Sequence, residues 1–187
     1  NKNQVIDDAL TMGHQYVITG CPPDFKENYA SADKGKAMVD LYCEAAENTA
    51  PHGLQVGYHN HDWDLVAVDG KPGYHYFLEG TPDSILWEAD LFWVARAGID
   101  PASFVKEIGV RGKCLHFKDG VVRAAAAVEV ETAAGKVTVD DEVPFLPAGV
   151  GEVDLVAAAH AADDMEYAVV ELDSYAGDMM KAVAESY

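Results

Sequence analysis

His59 and His61 stand two residues apart in the stretch Leu54-Gln-Val-Gly-Tyr-His-Asn-His-Asp-Trp-Asp-Leu65. The stretch begins with an apolar run, Leu54 to Val56, of the kind that makes a short buried strand, and then turns abruptly polar. On an extended strand, residues two apart share a face. A neutral imidazole on that face can offer a ring nitrogen to a divalent metal. Three more segments end in the same manner: Ile85 to Asp90 in an acid, Lys113 to Lys118 around His116, Lys118 and Asp119, and Tyr167 to Glu171 in a second acid. Four strand ends therefore carry groups that bind metals: His59 or His61, Asp90, His116 and Glu171. Parallel strands in a barrel bring such ends to one rim. Two imidazoles and two carboxylates there would suit Mn, Mg, Co or Zn, with positions left for substrate oxygens. A metal so held polarises a carbonyl or enediolate oxygen, and a carboxylate beside it can take the proton next to that carbonyl. Any one strand-end acid also fits a helix N-cap or an ion pair. Four in succession argue for a shared site.

The elements that must position these groups alternate along the chain. Val5 to Leu10 has helical spacing and closes at Gly13, and Gln15 to Thr19 reads as a strand. A helix over 32–48 puts Ala37, Met38, Leu41, Tyr42, Ala45 and Ala46 on one stripe. The central strand, Leu54 to Tyr58, follows. Tyr74 to Leu78 fits either a helix start or a short extended piece. After the strand ending at Asp90, Asp100-Pro101 is a strong helix start, with an N-cap carboxylate and proline at the first position. Val128 to Glu131 and Lys136 to Val139 alternate with period two, which predicts a β-hairpin near 126–140 inserted in a loop. Asp154 caps a further helix, and a last helix starts near Gly177. This gives five strand–helix units, with crossovers long enough for parallel pairing. Such units build either a β/α barrel or an open doubly wound sheet, and the latter's GxGxxG fingerprint follows no strand. A full barrel has eight units, so the expectation is one domain over 1–187 holding the last five units of a TIM-type barrel.

The formal net charge is −19, from 13 basic and 32 acidic residues. A field of that sign repels phosphate backbones and argues against nucleic acid as a partner. No apolar run approaches the roughly 18 residues of a membrane span, so no membrane partner is expected. Cys21, Cys43 and Cys114 are odd in number, far apart and without a CxxC, which suits reduced, buried thiols in a cytoplasmic protein.

The Gly57-Tyr-His-Asn-His-Asp62 core resembles the sugar phosphate isomerase/epimerase family of xylose-isomerase-like TIM barrels. Asp90-Leu-Phe-Trp93, Ala97-Gly-Ile-Asp-Pro101, Leu115-His-Phe-Lys-Asp119, Gly149-Val-Gly-Glu-Val-Asp154 and Val170-Glu-Leu-Asp173 agree in order. The resemblance covers the chain outside the insertion at 121–147. It implies metal ligands at His59, Asp90, His116 and Glu171, with Glu171 also catalytic. Many relatives carry Glu where this chain has His59. One of the paired glutamates that exchange a proton is therefore missing, and His61 or Lys118 becomes the candidate second base. Trp93 stands where the better-known epimerases carry a histidine. Trp63, Trp93 and Asn60 are the candidate substrate-binding residues, and Asp173 a supporting group. Lys118 would hold a substrate oxygen or phosphate, or pair with Asp119.

The implied reaction is isomerisation or epimerisation of a small sugar or sugar phosphate. A one-sided acid–base set would suit β-elimination from a 3-oxo-glycoside. An incomplete chain that binds without catalysis is the third expectation, and its open strand edges would favour a homo-oligomer.

Overall fold

The computed structural model describes residues 2–20, 31–123, 127–133, 135–140, 142 and 144–187. Helix α1 spans Lys2–Met12, strand β1 Tyr16–Thr19, helix α2 Ala32–Thr49 and strand β2 Gln55–His59. Helix α3 is Gly73–Gly80, strand β3 Leu86–Asp90, helix α4 Leu91–Arg96 and helix α5 Pro101–Ile108. Strand β4 is Cys114–Phe117, helix α6 Leu155–Ala161, strand β5 Tyr167–Val170 and helix α7 Met179–Glu185. The ambiguous segment after Pro72 is thus a helix. The hydrogen-bonding order of the sheet is β1-β2-β3-β4-β5, the same as the order in the chain. A doubly wound sheet reverses its strand order at a switch point, whereas a barrel adds strands sequentially. The sequential order therefore selects the barrel alternative. Pairing is parallel for β1–β2, β2–β3 and β4–β5, with His59 opposite Glu88 and His116 opposite Val169.

The chain forms two compact units, Asn1–Glu88 and Ala89–Tyr187. In the first, an aromatic group holds β2 in place. Tyr58 packs edge-on against Tyr42 and Trp87 at centroid distances of 5.4 and 5.2 Å, and Phe77 of α3 closes on Tyr58 at 4.9 Å. Burying each of these rings stabilises the unit by about 2–3 kcal/mol. The Tyr42 hydroxyl donates to the Thr19 carbonyl (2.8 Å), tying α2 to the end of β1. The expected stripe on α2 is narrower than its sequence suggests. Met38 and Tyr42 are buried, but Ala37 and Leu41 face solvent, and Gly35 lies against Tyr76 in their stead.

In the second unit, α5 starts at its Asp100 cap as the sequence predicts, with Asp100 Oδ2 accepting from Ser103 N. The hairpin is present as Val128–Thr132 paired antiparallel with Gly135–Val139. Its inner Val137 and Val139 pack with Leu146, Val130, Val150 and Tyr175 into a small core of their own. At the end of the sheet order, β5 is an apolar strand whose Tyr167 and Val169 are exposed. Cys114 is buried, Cys43 is only half-buried, and Cys21 lies outside the described residues. No helix among the described residues is long and apolar enough to cross a membrane.

Candidate metal and proton-transfer site

In the second unit the ends of β3, β4 and β5 each contribute a charged group. Asp90 is fully buried and its two oxygens have different work. Oδ1 accepts from the backbone N–H groups of Phe92 and Trp93 (both 3.1 Å), capping α4. Oδ2 lies 3.8 Å from His116 Nδ1 and 3.2 Å from Lys118 Nζ. One oxygen of this acid thus caps a helix, while the other faces His116 and Lys118. Glu171 Oε2 is 2.7 Å from His116 Nδ1 and 2.9 Å from Lys118 Nζ. Asp173, on the segment after β5, reaches Lys118 through Oδ2 at 2.9 Å.

Burial alone would raise the pKa of Glu171, but hydrogen bonds from His116 and Lys118 outweigh it and hold the carboxyl far below the usual carboxylate range. Burial opposes the charge on Lys118 too. The field of Asp90 and the hydrogen bonds to Glu171 and Asp173 outweigh that burial, and its pKa is raised. Trp93 and Phe145 place their ring centroids 5.2 and 5.1 Å from the same ammonium. These surroundings suit a fixed charge, not a group that gives up and regains a proton. The ion pair expected between Lys118 and Asp119 gives way to these contacts.

Asp119 has a different task, which sequence reasoning missed. Its Oδ1 accepts from Gly120 N (2.8 Å) and Val153 N (3.0 Å), and its Oδ2 from Gly149 N (2.9 Å) and Gly151 N (3.0 Å). Four backbone donors meet one buried carboxylate, and three of them, from Gly149, Gly151 and Val153, pin the 149–153 turn to the end of β4. A Cβ at Gly151 would collide with Asp119 Oδ1, so the close approach requires glycine. The signal was in the sequence as the glycines of Gly149-Val-Gly151, but nothing local connects them to residue 119.

The first unit holds the other candidates. His59 Nδ1 lies 3.2 Å from Glu88 Oε2, a strand neighbour that sequence reasoning also missed. Glu88 precedes Asp90 by two residues and so shares its face of β3, which is the pattern that could have revealed it. Gly20 sits so close to His59 that a Cβ there would come within 2.6 Å of the ring. His61 lies edge-on to His59 at 4.9 Å and stacks on Trp63 at 4.3 Å with a 9° tilt. The His61 backbone N–H donates to Asp64 Oδ2 (2.8 Å). Burial pushes the Asp64 carboxyl up to about 7, against the opposing pull of hydrogen bonds from that N–H and from Tyr58. Asn60 is fully buried, and its Oδ1 accepts from the Trp87 indole at 2.9 Å.

Among the predicted ligands, the structure brings Asp90, His116 and Glu171 together, with carboxylate oxygens within 2.7–3.8 Å of the imidazole nitrogen. Two carboxylates and a neutral imidazole are a donor set that Mn, Mg, Co or Zn accepts. A divalent cation fits these residues provided it shares the carboxylates with Lys118.

No protein-family model and no curated protein sequence matches the chain. Solved structures do. A sugar phosphate isomerase/epimerase from Parabacteroides distasonis superposes with a TM-score of 0.75 at 19% identity, over 99% of this chain and 60% of that one. A probable 3-DHS dehydratase, AsbF, from Bacillus anthracis gives 0.68 at 15% identity, over 99% and 66%. The IOLI protein with a bound zinc atom gives 0.62 at 17% identity, over 99% and 64%. The chain thus spans roughly three fifths to two thirds of the length of these proteins. Their likeness establishes the fold: part of a TIM-type β/α barrel, here with five parallel strands in sequential order.

Proposed function

We propose that this chain carries the site of a metal-dependent isomerase or epimerase acting on a small sugar or sugar phosphate. The convergence of Asp90, His116 and Glu171 at three successive strand ends is the observation that carries this reading. These three residues would hold the cation, and His59 joins them on the strength of its sequence motif. A divalent cation supplies Lewis acidity to a carbonyl or enediolate oxygen. Glu171 is kept ionised by His116 and Lys118, which is the state required of a ligand, and it is the proposed proton acceptor. His61 is the second acid–base group, its ring oriented by its stack on Trp63. The same stack offers an aromatic face to a sugar ring, and Trp93 is the corresponding candidate in the second unit.

A second reading is β-elimination from a 3-oxo-glycoside. It is favoured by the single glutamate in this ligand set and by the structural likeness to a probable dehydratase. Proton NMR of candidate sugars in deuterated water, with Mn, Mg, Co or Zn added in turn, separates the two. Exchange of the proton next to the carbonyl with an epimeric product supports the isomerase. Irreversible release of the aglycone supports the lyase. No exchange and no release across sugars and 3-oxo-glycosides would leave a binding role only.

A further inference from the structure

Lys118 is only 1% exposed, although it lies among groups expected to meet a substrate. An ammonium has three protons and no acceptor. Here it finds three carboxylate oxygens, from Asp90 (3.2 Å), Glu171 (2.9 Å) and Asp173 (2.9 Å). Its donors are thereby committed, which leaves none for a substrate oxygen or phosphate. Two rings close the remaining directions. Asp90 and Glu171 both approach His116 Nδ1, so two carboxylates share one small, largely buried neighbourhood. Like charges at such range cannot both remain ionised in a buried site unless an opposite charge compensates.

We infer that Lys118 is the built-in counter-cation of this site, a positioning residue that holds Asp90 and Glu171 in the ligand arrangement before a metal ion binds. It stands in part for the charge that the metal later brings, and Asp173 offsets its own charge so that a divalent ion is not repelled. The inference rests on the metal-dependent reading for the identity of the ligands. The holding role itself is a property of the metal-free protein.

The test is thermal melting and Mn²⁺ titration by EPR on the whole chain, comparing the parent with Lys118→Met. Without metal, the variant is expected to melt roughly 10 °C lower, because removing one partner of a buried ion pair exposes the others to an uncompensated site. Added Mn²⁺ should raise its melting point by more than that of the parent, and should bind it at least as tightly. A variant that melts like the parent without metal overturns the inference, and so does one that gains no more from Mn²⁺ than a parent that itself binds the ion. Should Lys118→Met fail to fold, Asp173→Asn serves, since Asp173 is half-exposed and outside the ligand set. Leaving Lys118 less neutralised, it should weaken Mn²⁺ binding several-fold, and an unchanged affinity overturns the inference. If the parent binds no Mn²⁺ while Lys118→Met still melts lower, the counter-cation role stands and the metal-dependent reading falls.

Discussion

Two carboxyl groups in the two units respond to burial in opposite directions. Asp64, in the first unit, is pushed up to about 7. Glu171, in the second, is held far below its usual range. Burial raises both, and the difference lies in what else each meets. Asp64 accepts from a backbone N–H and a tyrosine hydroxyl, neutral donors that only partly offset desolvation. Glu171 meets an ammonium and an imidazole. The comparison teaches that the first unit surrounds its buried carboxyl with neutral donors beside the His61–Trp63 stack, whereas the second concentrates charge and stabilises it with charge. A site that must hold a cation needs the second kind of environment, and a surface that receives an apolar ring face needs the first.

The largest effect that would sharpen this contrast is on turnover. Glu171→Gln should lower kcat by about 10³-fold or more while most of the Mn²⁺ remains bound, as read by steady-state kinetics and EPR. Full activity would remove Glu171 from the mechanism. Next comes the frame of the charged region. Asp119→Ala should cost about 4 kcal/mol in urea unfolding, because four backbone donors lose their shared acceptor. A loss under about 1 kcal/mol would mean that the 149–153 turn does not depend on it.

The two regions should also differ in their response to pH. A folded-state pKa raised above the unfolded value, as for Asp64, gives stability that is full below about 4 and declines as pH rises to about 7. Asp64→Asn should therefore flatten that interval and leave the variant roughly 2 kcal/mol more stable than the parent at pH 8, measured by chemical unfolding. Glu171 contributes with the opposite sign. Its depressed pKa gives stability that is full above about 4.5 and is lost as the medium becomes more acid, so Glu171→Gln should reduce acid sensitivity below that pH. A parent whose stability is flat from pH 4 to 7 would remove the contrast. The smallest effect belongs to the aromatic surface. Trp63→Ala should cost about 1 kcal/mol of substrate binding, seen as a several-fold rise in KM with kcat little changed.

The site was only partly legible in the sequence, for a reason visible in its residues. Asp90, His116 and Glu171, which the structure brings together, are legible because each lies at the end of an apolar run, and a period of two tells which side chains share a face. Helix α4 escapes the sequence reading because, beyond the general fit of a strand-end acid to an N-cap, nothing local separates Asp90 from the other strand ends, and its Oδ1 does cap the next turn. The partners of Lys118 were invisible. Its nearest acid in the chain, Asp119, is committed elsewhere, and Asp173 is 55 residues away. Sequence neighbours of a strand residue point to the opposite face, so the local guess was bound to pick the wrong carboxylate.

By itself the sequence determined the alternation of strands and helices, the sign of the overall charge, the inserted hairpin and the kinds of group at the strand ends. These are local properties, set by periodicity, capping and turn chemistry within a few residues. The tertiary structure alone decided the sequential strand order, the four donors on Asp119 and the cage around Lys118. Those depend on which strand ends are brought together by hydrogen bonding between strands, and that is settled by packing residues far apart in the chain against one another.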